Sequence, residues 1–259
     1  MKLGFIGMGN MAAALARGFV ASGKVSPADL YAFDPATEKL SQMARELGFT
    51  AVASERELAA AVDMVIMACK PYHVESALAA MGEALSGKAL LSIALGWDHA
   101  KYRALLADDV RVQFVMPNTP AMVGEGMFLF EKTTTFTATE LAFATDLLAA
   151  IGVVETLPSE LMGIGGALSG CGPAFVDLLL EAFADAGVYY GLPRDKAYKL
   201  VSQTVKGSAK LQQETGLHPG VLKDMVCSPA GSTIKGVAAL EHSGLRSACL
   251  AAIEAIMES

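Results

Sequence analysis

Residues 3–12 read Leu-Gly-Phe-Ile-Gly-Met-Gly-Asn-Met-Ala, a short apolar run followed by small residues in the spacing GxGxxA. The run is typical of a buried strand, and the residues after it are typical of a helix. In such a unit Gly7 permits the tight turn, Gly9 lets a pyrophosphate approach the backbone, and Ala12 allows close helix packing. The stretch therefore predicts a Rossmann-type dinucleotide site at a helix N-terminus.

The rest of the first half repeats this alternation of short apolar runs and amphipathic segments. Strands are predicted over Leu3–Ile6, Leu30–Phe33, Met64–Ala68, Ala89–Ile93, Val112–Val115, Met127–Phe130 and Val153–Thr156. Helices are predicted over Met11–Ser22, Thr37–Leu47, Arg56–Ala61, Val74–Leu85 and Thr139–Ile151. Repeated β-α units favour a parallel sheet, so we expect a doubly wound α/β domain over residues 1–157.

Residues 158–259 show helical patterns punctuated by Gly and Pro. Long helices are expected from Pro173 to near Gly187 or Gly191 and from Pro193 to Gln213, and shorter ones over Pro219–Val226, Ser232–Glu241 and Leu245–Met257. A helical half with few aromatic residues buries little apolar surface alone. We expect it to pack on the first domain, on a second subunit, or on both, and to form an oligomer.

Composition excludes several classes of protein. The 259 residues carry a net charge of −7 without any basic run, which argues against a nucleic-acid partner. Mean hydropathy is high at +0.42, but the longest uncharged run, Leu161–Val176, holds five Gly and one Pro and is too short to span a membrane. Residues 1–6 lead straight into the first strand, so we expect no signal peptide and a cytoplasmic protein.

The cysteines and histidines suggest neither a metal site nor covalent catalysis. The four cysteines are widely spaced without a CxxC motif, and the four histidines are isolated without an HExxH motif. Hydride transfer is the reaction class left, because in such a reaction the cofactor performs the difficult step and the protein supplies binding and orientation.

Two polar residues follow predicted strands at the nucleotide edge of the sheet. Asp34 comes 22 residues after Ala12, where a carboxylate can accept hydrogen bonds from a ribose 2′-hydroxyl and so favours NAD(H). Asp34 could equally be the N-cap of the next helix, with Pro35 at its first position, and both roles can hold at once. Lys70 could contact a phosphate or ribose, or be an ordinary solvated lysine.

Two further loops follow predicted strands. Residues 92–96 are small enough to admit a nicotinamide ring. Residues 115–126, VMPNTPAMVGEG, form a stiff loop with two prolines that displays Asn118 and Thr119. Contact with the nicotinamide end of the cofactor or with the substrate is favoured over a purely structural turn.

A turn of small and hydroxyl residues, Ser-Pro-Ala-Gly-Ser-Thr at 228–233, opens directly onto an apolar helix. Free amides at a helix start, with Gly allowing close approach, suit a carboxylate or phosphate. An ordinary N-cap explains the local sequence equally well.

The motifs IGMGNMA (6–12), ACKP (68–71), VMPNTPAMVGEG (115–126), LSGCGPAF (168–175) and VCSPAGSTIKGVAALE (226–241) cover essentially the whole chain in order. Together they resemble the Δ1-pyrroline-5-carboxylate reductase family. The resemblance implies an N-terminal Rossmann domain, a helical C-terminal dimerisation domain, and homodimers or larger homo-oligomers. It implies reduction of the C=N bond of L-Δ1-pyrroline-5-carboxylate to L-proline by NADPH or NADH.

The resemblance also implies roles for individual residues. The substrate carboxylate would bind Ser228, Gly231, Ser232 and Thr233, and Thr233 Oγ would act on the ring nitrogen as the catalytic group. Cofactor contacts would come from Gly7, Met8, Gly9, Asn10, Met11, Ala12, Asp34, Cys69, Lys70, Ala94 and Asn118.

The chain departs from the family pattern at a few positions. Ala230 stands where the family commonly has Gly, which stiffens the turn, and Cys171 replaces a usual Ser. Most members prefer NADPH, but Asp34 has no nearby basic residue except Lys39, so the cofactor preference is open.

Two rival functions remain. A β-hydroxyacid or imine dehydrogenase shares the two-domain plan, but hydroxyacid enzymes carry a catalytic lysine on a long helix, and none lies between Gly172 and Asp177. A non-catalytic dinucleotide sensor would not need the 228–233 turn and should expose an unexplained apolar patch.

Overall fold

A computed structural model describes residues 1–258 of the chain. Its contacts divide the chain into two compact units, one from Met1 to Cys171 and one that begins at Gly172. The first unit holds a sheet flanked by helices, and the second is helical. The predicted α/β half followed by a helical half is confirmed, whereas the domain boundary between residues 157 and 158 stays a prediction.

Within residues 1–258, eight strands form one sheet in the first unit. In chain order they are β1 (Leu3–Ile6), β2 (Leu30–Phe33), β3 (Thr50–Ala51), β4 (Met64–Met67), β5 (Ala89–Ser92), β6 (Arg111–Met116), β7 (Gly126–Glu131) and β8 (Gly152–Leu157). Across the sheet the order is β3-β2-β1-β4-β5-β6-β7-β8. Ligands of doubly wound sheets bind where the order reverses, which here is between β1 and β4.

Strand β7 runs antiparallel to β6, with Val115 opposite Phe130 and Met116 opposite Leu129. The expectation of a parallel sheet therefore fails at this one pair, whereas the doubly wound α/β class is confirmed. Only residues 117–125 join the two strands, and they contain a 3-10 turn. Parallel neighbours need a crossover of a dozen or more residues, so this shorter connection returns the chain antiparallel to the strand it has left.

The central strands are buried on both faces, because helices cover both sides of the sheet. Alternate residues of β4 show this: Ile66 packs in one cluster with Phe19, and Val65 packs in another with Tyr102. The apolar runs predicted as strands are continuous rather than alternating for this reason.

The helices of the first unit connect these strands. They are α1 (Asn10–Ala21), α2 (Thr37–Leu47), α3 (Glu55–Ala61), α4 (Val74–Met81), α5 (His99–Arg103), α6 (Ala138–Ala149) and α7 (Met162–Gly166). Helix α2 has the predicted bounds. Helix α4 ends at Met81 instead of Leu85, because Gly82 adopts a positive φ of 51° and a 3-10 turn follows. The short elements β3 and α5 were not predicted.

From Ser159 to Tyr189 the chain is one helical run. A 3-10 turn and α7 are followed by a π-helical turn, Ala167–Cys171, and by α8 (Gly172–Tyr189). Pro173 lies in the first turn of α8 as predicted, but the helical run begins well before it. The π-helical turn ends at Cys171, two residues before this proline, which has no backbone N–H to donate within a helix.

By length and composition alone, the run Ser159–Tyr189 is long and apolar enough to cross a membrane. The uncharged run Leu161–Val176 lies within this longer helix of 31 residues, so the length of that run alone does not decide the question. Its first part packs within the first unit, where Met162 lies in a cluster with Phe114 and Leu129. One such helix is a weak argument for a span, and the expectation of no membrane partner stays a prediction.

The second unit continues from α8 with α9 (Arg194–Thr215), α10 (Pro219–Met225), α11 (Ser232–His242) and α12 (Leu245–Met257), which confirms the predicted helices. Between residues 172 and 258, only Ala184 and Ala197 are buried. Large apolar side chains such as Leu178 and Leu250 are each 66% exposed. These helices therefore enclose almost no core of their own, which supports the prediction that they pack on a further surface.

A β-turn precedes α11. The Gly231 amide donates to Ser228 O at 3.0 Å, Pro229 is the second residue of the turn, and Ala230, the third, has a φ of +59°. These are the features of a type II turn, which prefers Gly at the third position. A Cβ added at Gly231 would come within 2.4 Å of Ser228 Oγ, so a side chain at the fourth position would displace this hydroxyl.

We expect Ala230→Gly to raise the free energy of unfolding by about 1 kcal/mol, because it removes an L side chain from the left-handed region. The greater freedom of Gly in the unfolded chain offsets part of the gain. Urea denaturation of both proteins measures the difference. As a control, Ala238→Gly changes an exposed residue within α11. It should lower the free energy of unfolding by about 1 kcal/mol, because Gly is a poor helix former. An equal loss in both variants would contradict this account of the turn.

Candidate functional site

A cavity of about 750 Å³ lies in the first unit where the carboxyl ends of β1, β2, β4 and β5 meet. Its walls come from the β1–α1 turn, the end of β2, the first turns of α3 and α4, and the loops after β4 and β5. This is the edge at which the strand order reverses, where doubly wound sheets bind nucleotides. Its volume is within the range of ligand pockets.

The two glycines of the β1–α1 turn serve different purposes. Gly7 has a φ of +88°, and a Cβ added there would lie 2.8 Å from the Cys69 amide nitrogen. Backbone cannot move aside as a side chain can, so this position requires Gly. A Cβ added at Gly9 would meet nothing within 4 Å, and Gly9 lines the cavity. Gly9 therefore keeps open the space that a pyrophosphate would need.

The N-terminus of α1 is suited to an anion. Its N-cap is Gly9, which has no side chain to satisfy the first amides, and no acidic residue lies in the first turn. Amides at a helix start and the helix dipole together favour a phosphate group. The residues present thus fit the pyrophosphate of a dinucleotide.

Asp34 is hydrogen-bonded to backbone on two sides. Its Oδ2 accepts the Met8 amide at 2.7 Å and its Oδ1 accepts the Ala36 amide at 2.8 Å. The carboxylate therefore ties the glycine turn to the segment after β2 and also lines the cavity. A carboxylate has about four acceptor sites, so these two bonds leave capacity for ribose hydroxyls.

The loops after β4 and β5 form another part of the cavity wall. Cys69, Lys70 and Pro71 follow β4, and Ala94 and Leu95 follow β5. Burial is the main cause that raises the pKa of the Cys69 thiol to about 11. The thiol therefore stays protonated at neutral pH and contributes a small packing surface rather than a nucleophile.

Asn118 is buried and its side-chain amide is engaged by the protein. Its Nδ2 donates to Ser169 O at 3.0 Å, and its Oδ1 accepts the Met127 amide at 2.8 Å. The neighbouring Thr119 lines the cavity, whereas Asn118 does not. Asn118 therefore holds the loop in place and Thr119 faces the site.

The structure brings most of the predicted cofactor residues together. Those that line the cavity are Gly7, Gly9, Asn10, Met11, Ala12, Asp34, Cys69, Lys70 and Ala94. Met8 and Asn118 are not among the lining residues, although Met8 supplies the amide that Asp34 accepts. The contacts of all these residues with a cofactor stay predictions.

Sequence reasoning missed the lining residues on the helices. Glu55 lies in the first turn of α3, His73 is at the N-cap position of α4 without a side-chain cap bond, and Ser76 lies in the first turn of α4. Helix starts that follow a strand end tend to reach the nucleotide edge of such a sheet. The N-cap Ser54, whose side chain accepts the Glu57 amide at 3.2 Å, was the local signal that could have located the first of them.

In the second unit, the predicted substrate residues are gathered at the start of α11. Its N-cap is Gly231, which has no side chain to cap the first amides, and the first turn holds no acidic residue. The side chains of Ser228, Ser232 and Thr233 are exposed, and their hydroxyls make no hydrogen bond within residues 1–258. A side-chain cap is therefore not present at this helix start, and its amides stay available to an anion.

Titratable side chains form no alternative centre in the part of the chain that the structure describes. No group of three or more His, Cys, Asp and Glu residues there could hold a metal ion. His99 is buried, and this burial is the main cause that lowers its pKa, although the nearby Glu131 opposes the shift. Its ring does not line the cavity.

Two family models match the chain. Residues 159–259 match a model described as pyrroline-5-carboxylate reductase dimerisation. Residues 2–96 match a model described as NADP oxidoreductase, coenzyme F420-dependent. The first covers α7 to α12 and the second covers the part of the sheet that forms the cavity.

Relatives match over nearly their full length. The pyrroline-5-carboxylate reductase of Treponema pallidum (strain Nichols) is 41% identical over 263 residues and covers 100% of both chains. That of Escherichia coli (strain K12) is 38% identical and covers 99% of this chain and 96% of its own. The crystal structure of Plasmodium falciparum pyrroline carboxylate reductase with NADP bound has a TM-score of 0.90, 33% identity, and coverage of 100% and 96%. The chain therefore belongs to the pyrroline-5-carboxylate reductase family.

Proposed function

We propose that this protein reduces the C=N bond of L-Δ1-pyrroline-5-carboxylate to L-proline with NAD(P)H, the final step of proline biosynthesis. The observation that carries the proposal is the uncapped start of α11, where exposed hydroxyls surround free amides in a chain that also has a dinucleotide cavity. Family membership and the names of the full-length relatives support it.

The chain's own residues bind and orient the cofactor. The amides at the start of α1 hold the pyrophosphate, Gly9 provides the space for it, and Asp34 accepts a ribose hydroxyl. Ala94 and Thr119 lie along the cavity wall and limit where a nicotinamide ring fits. When bound, the reduced nicotinamide supplies the hydride.

The turn before α11 binds the substrate. The amides of Ser232 and Thr233 and the hydroxyl of Ser228 hold the carboxylate, favoured by the positive end of the helix dipole. The Thr233 hydroxyl donates a hydrogen bond or a proton to the ring nitrogen, which makes the C=N carbon a better hydride acceptor. Hydride then adds to this carbon while the nitrogen gains a proton, so that the double bond becomes an amine.

The helical unit also supports a homodimer. Its exposed apolar side chains include Phe175, Leu178, Phe183, Leu200, Leu211, Leu240 and Leu250. Residues of this kind exposed over α8 to α12 are typical of a large apolar subunit interface. The dimerisation model that matches residues 159–259 supports the same assembly. Measurement of the mass in solution tests whether dimers associate further.

The assay of the reaction is the first prediction. Purified protein should oxidise NADPH or NADH only when L-Δ1-pyrroline-5-carboxylate is added, and chromatography should identify L-proline as the product. A β-hydroxy acid with NAD⁺ or NADP⁺ is the comparison substrate. Turnover of the hydroxy acid alone would replace the proposal by the rival dehydrogenase, and binding of cofactor without any turnover would favour the sensor.

Thr233→Ala should lower kcat roughly 100-fold, because a positioned proton donor contributes about that factor or more. Thr233→Ser keeps a hydroxyl and should retain most of the rate. Affinity for NADPH should stay within about twofold in both variants, since the change affects a step after cofactor binding. Steady-state kinetics and cofactor titration provide the two readouts. An unchanged kcat in Thr233→Ala would remove the catalytic role.

Asp34→Ser should shift the ratio of kcat/KM values toward NADPH roughly tenfold or more, because it removes a negative charge that repels a 2′-phosphate. A serine hydroxyl can still accept the Ala36 amide, so the turn after β2 is preserved. The control is Glu38→Gln, which removes an exposed charge on the first turn of α2 outside the cavity. If the ratio does not move, Asp34 only holds the Met8 and Ala36 amides. Its predicted role as N-cap of α2 is wrong, because the helix begins at Thr37 and its N-cap is Ala36.

A further inference from the structure

Trp97, which is the sole tryptophan of the chain, joins two loops that line the nucleotide cavity. Its indole Nε1 donates to Pro71 O at 3.0 Å. Pro71 follows β4, and Trp97 follows β5. We call this hydrogen bond the Trp97 bridge. Because Pro71 and Ala94 both line the cavity, the bridge connects its walls from outside.

Two further hydrogen bonds hold the β5 side of the bridge. The Trp97 amide donates to Ala94 O at 3.1 Å, which closes a turn in which Gly96 has a φ of +74°. Lys101 Nζ donates to Gly96 O in the same turn. The backbone from Ala94 to Trp97 is therefore held by hydrogen bonds that do not involve the indole.

A buried aromatic residue supports the indole from α5. The ring of Trp97 lies 5.2 Å from the ring of Tyr102, centroid to centroid, and Tyr102 is fully buried. Tyr102 Oη and Ser92 Oγ are hydrogen-bonded at 2.8 Å, and Ser92 Oγ also accepts the Ala94 amide at 3.2 Å. The same cluster thus orients the indole and holds the cavity-lining Ala94.

The bridge lies beside one half of the cofactor site. Asp34 and the end of β2 suit the adenosine ribose, and the start of α1 suits the pyrophosphate. The loops that follow β4 and β5, on the other side of β1 in the sheet, are left for the nicotinamide half. A shift of either loop changes the space between them.

We propose that Trp97 is a positioning residue for the dinucleotide, because its bond to Pro71 O sets the separation of the two loops that receive the nicotinamide half. The inference rests on the proposed function, in that it presumes a bound nicotinamide dinucleotide. It assigns a specific role to a residue that lies outside the lining of the cavity.

The test compares Trp97→Phe with the wild type in the full chain. Phenylalanine keeps a ring over Tyr102 but removes the N–H group. Titration calorimetry should show that affinity for NADH falls roughly five- to tenfold, as expected if the loops adopt the binding-competent separation only about a tenth to a fifth of the time without the bond. Affinity for ADP-ribose, which lacks the nicotinamide, should stay within about twofold. KM for the cofactor should rise while KM for pyrroline-5-carboxylate is unchanged.

Tyr72→Phe is the matched control, since it removes a hydroxyl from the same β4 loop at a side chain that is 77% exposed and outside the cavity lining. It should change neither affinity. Unchanged NADH affinity in Trp97→Phe, or equal losses for NADH and ADP-ribose, would overturn the positioning role.

Wild-type fluorescence separates failure of the bridge from failure of the proposed function. Because all tryptophan emission comes from Trp97, NADH bound in the cavity should quench it by energy transfer to the dihydronicotinamide, whereas ADP-ribose should not. Quenching by NADH together with an unaltered Trp97→Phe affinity would contradict only the bridge. A wild type that neither binds NADH nor reduces pyrroline-5-carboxylate would overturn both.

Discussion

The close passage of Gly7 beside the backbone of Cys69 is the constraint on which the site depends. An added Cβ on Gly7 would lie 2.8 Å from the Cys69 nitrogen and 2.9 Å from its Cα, and the backbone at Cys69 cannot move aside. Gly7 also donates its amide to Phe33 O at 2.8 Å. Gly7 therefore brings the ends of β1, β2 and β4 to one point. The uncapped amides of α1 and the Asp34 carboxylate are placed around the cavity as a consequence.

Local sequence predicted the parts of this fold whose signal is local. Strands β1 and β2 and helix α2 have the predicted bounds, because each is one uninterrupted apolar or amphipathic pattern. Strand β3 has two residues and α5 has five. Segments this short do not show the apolar periodicity of a strand or a helix. The direction of β7 depends on the length of a loop and on its neighbours in the sheet, neither of which a strand's own residues encode.

The residues of the candidate site also fall into those with a local signal and those without one. Residues in the glycine turn and at strand ends were predicted, because their chemistry and their neighbours in sequence coincide. Glu55 and Ser76 line the cavity only because folding brings helix starts to the nucleotide edge. Asn118 was predicted as a cofactor contact, yet its amide bonds to groups 9 and 51 residues away. Those partners cannot be recognised without the tertiary structure.

Asp34 shows why a structural and a functional role need not compete. The bonds from the Met8 and Ala36 amides satisfy one acceptor site on each oxygen, and each oxygen has a further site for a ribose hydroxyl. The same two bonds fix the carboxylate, so it cannot swing away from a 2′-phosphate placed beside it. Local backbone support thus strengthens the charge discrimination at this position. A free aspartate on a mobile loop would discriminate less, because it could move away from the phosphate.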